Sequence, residues 1–179
     1  MKTQPYLDQE TLKALLHYSP DTGVFIWLWR ADVPPNWNGR YAGKVAGYAR
    51  ECTREEGAVY WSIKIYGHAF KAHRLAVLYM TGEWPETIVD HHNTDGLNNR
   101  WDNLRDANRS QNGANAKLSK ANTSGLKGAS FHKRAGKYQA VIRVGGRQAF
   151  LGYHDTAEAA HAAYCAAATS IHGEFARAA

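Results

Sequence analysis

Between Val89 and Asn112 the chain reads VDHHNTDGLNNRWDNLRDANRSQN, with two adjacent histidines, four aspartates and six asparagines. Asp90 and His91 follow Ile88 and Val89 directly, where a strand would otherwise continue apolar. A carboxylate and an asparagine carbonyl are hard oxygen ligands, suited to Mg²⁺ or Mn²⁺ rather than to zinc. An imidazole titrates near neutrality, at about pH 6.5, so His91 beside such a site can take a proton from an attacking water. The competing account is local: Asn, Asp and Gly gather in turns because their side chains bond nearby backbone. That account covers Asn93 to Gly96, Asn98 and Asn108, and leaves Asp90 and His91 unexplained. On residue pattern alone, a metal-assisted hydrolase site and a set of polar turns both stand.

The elements that must position these residues are legible in outline. "IVDHH" reads as a strand end, "NTDG" as a turn, and "NRWDNLRDANRSQNGANAK" as a second short element running into a helix. This layout brings Asp90 and His91 toward Asn112. Upstream, Asp8 caps a short helix bearing Leu12, Leu15 and Leu16, and "SPDTG" turns the chain into the strand "VFIWLWR". "VPPNWNGR" reads as a loop, "AVYWSIKIYGHAFKAHR" as a hairpin turning near Tyr66 to His68, and "HRLAVLYM" as a helix ended by Thr81-Gly82. Downstream, "NAKLSKANTSG" reads as a linker. "GLKGASFHK", "KYQAVIRV" and "RQAFLGY" follow as three strands, the last pair joined at Gly145-Gly146. A helix runs from Asp155 or Thr156 to Gly173.

The 179 residues, 44% of them hydrophobic, fit one domain or two small ones. No apolar run approaches the roughly 18 residues of a membrane span, and the start carries no secretory-type apolar segment, so a cytoplasmic protein without a membrane partner is expected. Cys52 and Cys165 stand far apart outside any C-x-x-C, which suggests neither a disulfide framework nor a structural zinc. Charge is unevenly placed. Residues 1–116 hold thirteen basic and thirteen acidic side chains, whereas residues 117–179 hold nine and three. The last third is therefore suited to a polyanion, nucleic acid first, with simple solubility as the alternative.

"VDHHNTDGLNNRWDNLR" with the later "SQN" closely resembles the HNH endonucleases of the phage and intron-homing type, whose core is a hairpin and helix around one divalent metal. "AHRLAVLYMTGEWP" resembles the segment leading into that motif. The resemblance implies an α+β fold with an N-terminal ββα-metal (HNH) nuclease domain over 1–114, carrying extra strands and a helix, with its core at about 73–114. It implies His91 as general base. Asp90 and Asn112 would be ligands of one Mg²⁺ or Mn²⁺, and Asn103 the residue that fixes the hairpin and the His91 ring. His92 is given no role, since strand alternation turns it away from His91.

After a linker at 115–124, residues 125–179 resemble the Apetala/ethylene-response-factor type of DNA-binding domain, a three-stranded antiparallel sheet packed on one helix. "GKYQAVIRV", "FLGYHDTAEAAHAAY" and "HGEFA" carry the likeness. The implied contacts to double-stranded DNA are Lys127, Ser130, His132, Lys133, Arg134, Lys137, Tyr138, Arg143 and Arg147. Phe150 also matches a contact position but suits sheet packing better. Arg143 and Arg147 are the candidates for guanine and the lysines for phosphate. The expected activity is hydrolysis of phosphodiester bonds in duplex DNA, by nicking or cutting, in the host cytoplasm if phage-encoded, by a monomer or weak dimer. The alternative is a DNA-binding regulator on the same scaffold without turnover.

Overall fold

The computed structural model describes residues 7–52, 58–119 and 122–177. It is a mixed α/β chain in two compact units, Met1–Asp106 and Ala107–Ala179. The division falls before the expected boundary at residue 114. Residues 120 and 121 of the expected linker lie outside the described residues.

In the first unit, helix α1 (Gln9–Leu15) starts at Asp8, whose carboxylate accepts from the Thr11 amide at 2.8 Å. Leu12 and Leu15 are buried on it. Leu16, expected on the same helix face, instead begins strand β1 (Leu16–Ser19), which pairs antiparallel with β2 (Val24–Trp27). The segment read as a loop forms a further helix, α2 (Pro35–Tyr41). Pro35 presets the backbone of its first turn. Trp37 meets the Trp27 ring edge-on at 5.4 Å, and the Asn38 amide brackets Arg30 by bonding both its N–H and its carbonyl. Tertiary contacts thus override the loop-like composition.

Strands β3 (Tyr48–Glu51), β4 (Val59–Ile65) and β5 (His68–Lys71) form an antiparallel sheet in that order. The β4–β5 turn is the expected one, with Tyr66 and Gly67 both at positive φ, 48° and 82°. Helix α3 (Ala72–Thr81) follows and stops at Gly82, whose φ of 88° is left-handed. Leu75 and Leu78 enter a core with Leu12, Leu16, Tyr18, Phe25, Ile63 and Phe70, as the spacing indicated, while Tyr79 packs at its edge. Arg74 donates to the Pro85 and Thr87 carbonyls and so ties α3 to the chain entering strand β6 (Ile88–His91). A 3-10 turn at Trp101–Asn103 leads to β7 (Leu104–Ala107), which hydrogen-bonds to β6 as a two-stranded sheet.

The second unit contains α4 (Arg109–Asn115), opened by a capping box in which Asn108 and Gln111 bond each other's backbone. Strands β8 (Ala129–His132), β9 (Lys137–Val144) and β10 (Arg147–His154) make an antiparallel sheet with β9 central. Gly145 and Gly146 turn β9 into β10 with φ of 57° and 81°, as a two-residue primed turn requires. Helix α5 (Ala157–His172), capped by Thr156, covers one sheet face. Ala129, Ala140 and Ala160 form one buried cluster, and Ile142, Tyr164 and Ala168 a second. Gly128 is obligatory beneath this helix, because a Cβ there would overlap the Tyr164 ring.

One close approach joins the N-terminal hairpin to the polar segment. Gly23 has φ of 73°, and a Cβ on it would collide with the backbone of Asn99 and Arg100. Gly23→Ala therefore combines strain with overpacking and is expected to cost about 2–4 kcal/mol. Denaturant unfolding of the variant against the parent measures this.

Candidate active site

Asp90 and His91 end strand β6, where both are buried, at 7% and 5% exposure. Asp90 accepts from the Arg105 Nε at 3.1 Å and pairs with its Nη2 at 3.1 Å, Arg105 lying on the neighbouring strand β7. Burial of a carboxylate is tolerable on such terms, since the guanidinium supplies both charge and donors.

His91 is held by a residue that the motif reading left without a role. Its Nε2 lies 3.3 Å from Asn99 Oδ1, and Asn99 Nδ2 donates to the Leu97 carbonyl at 3.1 Å. The second bond fixes which end of the amide faces the ring. Because Oδ1 only accepts, the imidazole must donate from Nε2, and its lone pair then sits on Nδ1. Burial pushes the His91 pKa below its ordinary value, partly offset by the bond to Asn99 and the charges of Asp90 and Asp95. The neutral, basic form is favoured.

Asn99 is itself fully buried at 2% exposure. The Tyr18 hydroxyl donates to its carbonyl at 2.7 Å, and the Trp101 amide donates to the Pro20 carbonyl at 2.9 Å. Strand β1 and the turn that follows it therefore brace the segment carrying the histidine's partner. Tyr18 and Pro20 thus support the motif from a segment far upstream of it. The signal was present: Asn99 is the middle residue of "NNR", and Gly23 ends "SPDTG".

Asn103 bonds within the loop that joins the two strands. Its Nδ2 donates to Asn93 Oδ1 at 3.0 Å and to the Asn98 carbonyl at 2.8 Å, while its Oδ1 accepts from the Asn93 amide at 3.0 Å. The hydrogen bond to the His91 ring comes from Asn99 instead. His92 is exposed and its amide bonds the Asn103 carbonyl at 2.8 Å, in keeping with a residue turned outward. Asn112 lies on α4 and belongs to the second unit.

A second buried imidazole lies against the first. His73, in the first turn of α3, meets His91 edge-on at 4.9 Å, with Tyr60 5.5 Å from His73 and 6.1 Å from His91. Among the described residues, His73 Nδ1 is buried without a hydrogen-bond partner. Sequence reading passed over it because an apolar-spaced helix start offers no mark of chemistry.

In the second unit the strand register sorts the expected DNA contacts. Ser130 pairs with Gln139 and His132 with Lys137, while Arg143 pairs with Gln148 and Val141 with Phe150. Strand alternation places these pairs on the face away from α5. Arg143, Arg147, Lys133 and Arg134 are exposed. Lys137 reaches Asp155 at 2.9 Å in an exposed pair. Two of the expected contact residues are engaged elsewhere. Tyr138 packs on the helix side beside Ala129, Ala140 and Ala160, the alternate row of the same strand. Lys127 donates to the Ala114 and Ala116 carbonyls at 2.6 Å each, and burial lowers its pKa to about 8, so its ammonium serves the end of α4. Phe150, matched better to core packing, is 56% exposed and lies 4.9 Å from Tyr153, a residue not singled out before.

A buried carboxylate and a buried histidine thus lie side by side at a strand end, with Asn99 against the ring. Residues 70–114 match the family model described as HNH endonuclease. The chain is 36% identical over 89 residues to Protein 3.8 of Escherichia phage T7, covering 50% of this chain and 73% of that one. The chain belongs to the HNH endonuclease family. No solved structure matches it.

Among the described residues, no group of three or more His, Cys, Asp or Glu side chains is placed to hold a metal ion. The candidate donors Asp90 and Asn112 offer oxygen only. That chemistry would suit a hard divalent ion.

Burial also pushes the His73 pKa well below its ordinary value, with the neighbouring His91, Lys71 and Arg74 acting in the same direction. A pKa depressed on folding stabilises the protein fully above about pH 6.5, and that stability is lost as pH falls below it. His73→Phe is expected to remove this dependence. Between pH 7.5 and 5.5 the parent should lose on the order of 1 kcal/mol more unfolding free energy than the variant.

Proposed function

We propose that the protein is a divalent-metal-dependent DNA endonuclease of the homing type that hydrolyses phosphodiester bonds in duplex DNA. The observation that carries this reading is the buried Asp90-His91 pair, with His91 Nε2 3.3 Å from Asn99 Oδ1, inside the segment matched to the HNH endonucleases. His91 Nδ1 accepts the proton of the attacking water, and the low dielectric around the ring keeps it neutral until it does so. Asp90 and Asn112 are the residues that would hold the metal ion. When bound, such an ion stabilises negative charge developing on the scissile phosphate and its leaving oxygen. Asn103 and Asn99 are positioning residues, one for the loop and one for the ring.

The outer face of the β8–β10 sheet is the proposed DNA-reading surface, in the manner of the Apetala/ethylene-response-factor type. Arg143 lies on it, with Lys133, Arg134 and Arg147 at the strand turns. The excess positive charge of residues 117–179 supports this assignment. The phage origin of the 36%-identical relative supports a phage nuclease acting in the host cytoplasm.

One observation favours the second reading, a DNA-binding regulator without turnover. Arg105 already neutralises Asp90 and would compete with a divalent ion for that carboxylate. A supercoiled-plasmid assay with Mg²⁺, Mn²⁺ or EDTA separates the two. Metal-dependent relaxation or linearisation that His91→Ala reduces at least a hundredfold, with DNA affinity kept, is the expected result. Binding without cleavage under either metal would leave the regulator. Arg143→Ala should cost about 1–3 kcal/mol of discrimination between DNA sequences. Lys133→Ala should weaken all sequences alike and lower the salt slope by about 1. A binding selection on random duplexes and a salt titration read these two effects.

A further inference from the structure

The first unit contains an aromatic cleft that the catalytic residues do not use. About 460 Å³ in volume, it is lined by Trp37, Tyr41, Tyr48 and Tyr66 together with Arg30 and Lys64. The three tyrosines are 36%, 46% and 59% exposed. Several large rings facing solvent around one hollow call for a ligand, since scattered exposed aromatics are ordinary but a contiguous group is not.

Tyr66 makes the point independently. It is the first residue of the primed two-residue turn between β4 and β5, with φ of 48°. That position suits Gly, Asn or Asp, and a bulky side chain there is strained. Folding gains no buried ring in exchange, because Tyr66 is the most exposed residue of the lining tyrosines. A strained backbone position bearing an exposed ring marks a functional constraint. The Arg30 guanidinium lies 5.5 Å from the Trp37 ring and 6.0 Å from the Tyr66 ring, and is held there by Asp32. Of the two cations in the lining, Arg30 is paired with Asp32, whereas Lys64 brings a charge to the cleft.

We infer that this cleft takes an unpaired base of a DNA strand, stacked on Tyr66 and Trp37, with the adjoining phosphate against Lys64. A base offers a planar π face to the rings, and its phosphate complements the cations. A purely apolar ligand would gain nothing from Arg30 and Lys64. The inference rests on DNA being the substrate, and it adds to the nuclease a strand-holding site that shares no residue with the proposed phosphate chemistry.

The test uses the full chain in EDTA, so that binding is read without cleavage. A single-stranded oligonucleotide carrying 5-iodouracil is photocrosslinked to the protein, and the attached peptides are identified by mass spectrometry. Its affinity is then measured for the parent and for Tyr66→Gly. Glycine fits the left-handed turn, so this variant removes the ring while keeping the fold. Crosslinks at Tyr66, Tyr48 or Trp37, with affinity lowered about 5- to 100-fold in Tyr66→Gly at an undiminished Tm, are expected. Crosslinks confined to residues beyond 106, or an unchanged affinity in Tyr66→Gly, would overturn the inference. Plasmid cleavage by the same preparation keeps the two readings apart. Cleavage without cleft crosslinks sinks the cleft alone, and cleft crosslinks without cleavage under any metal sink the nuclease reading alone.

Discussion

The hydrogen bond between His91 Nε2 and Asn99 Oδ1 reconciles two requirements that pull in opposite directions. His91, as the proposed general base, works best in a water-poor pocket, where its proton affinity is not shared with solvent. A buried imidazole, however, is costly unless its N–H finds an acceptor. An asparagine oxygen meets the second need without adding charge, and it selects the tautomer at the same time. The cost is passed outward. Asn99 is buried too, so its own amide and carbonyl must be satisfied by Leu97 and Tyr18. Asn93, Asn98 and Asn108 do bond nearby backbone as turn and cap formers, whereas Asn99 keeps one polar chain complete from Tyr18 to the ring.

Much of this architecture was readable from the sequence, for reasons that differ by residue. Asp8, Gly82 and Thr156 announced helix ends because capping is a local affair of one side chain or one dihedral angle. Asp90 and His91 stood out because polar residues interrupted an apolar strand. Trp37 and Asn38 did not announce α2, since that helix depends on Trp27 and Arg30, which no local pattern connects to it. His73 was hidden for the opposite reason: it occupies a helix position where an apolar residue would look natural. Asn99 lay within a quoted motif, yet only three-dimensional placement distinguishes the asparagine that holds the ring from the one that holds the loop.

The second unit shows how far a strand pattern carries and where it stops. Period-two alternation divides β9 into two rows, and the division assigns Tyr138 to the helix side and Arg143 to the open side. A resemblance supplies positions without saying which row a given chain exposes. Between Phe150 and Gly152 the register shifts, so Leu151 turns to the core while Phe150 and Tyr153 remain outside. A bulge of this kind re-aims side chains and leaves little trace in composition.

The bond from Tyr18 to the Asn99 carbonyl bears on how such a nuclease can be inherited. Residues 70–114 carry the recognisable motif, but the polypeptide that completes its hydrogen bonding begins some fifty residues earlier. The smallest portable unit of this enzyme is thus larger than its signature. Recombination that joined the signature to a foreign N-terminus would deliver every residue of the proposed site and still leave a buried carbonyl without its donor. Lineages that exchange parts should do so downstream of the motif and keep the N-terminal hairpin and the motif as one heritable block.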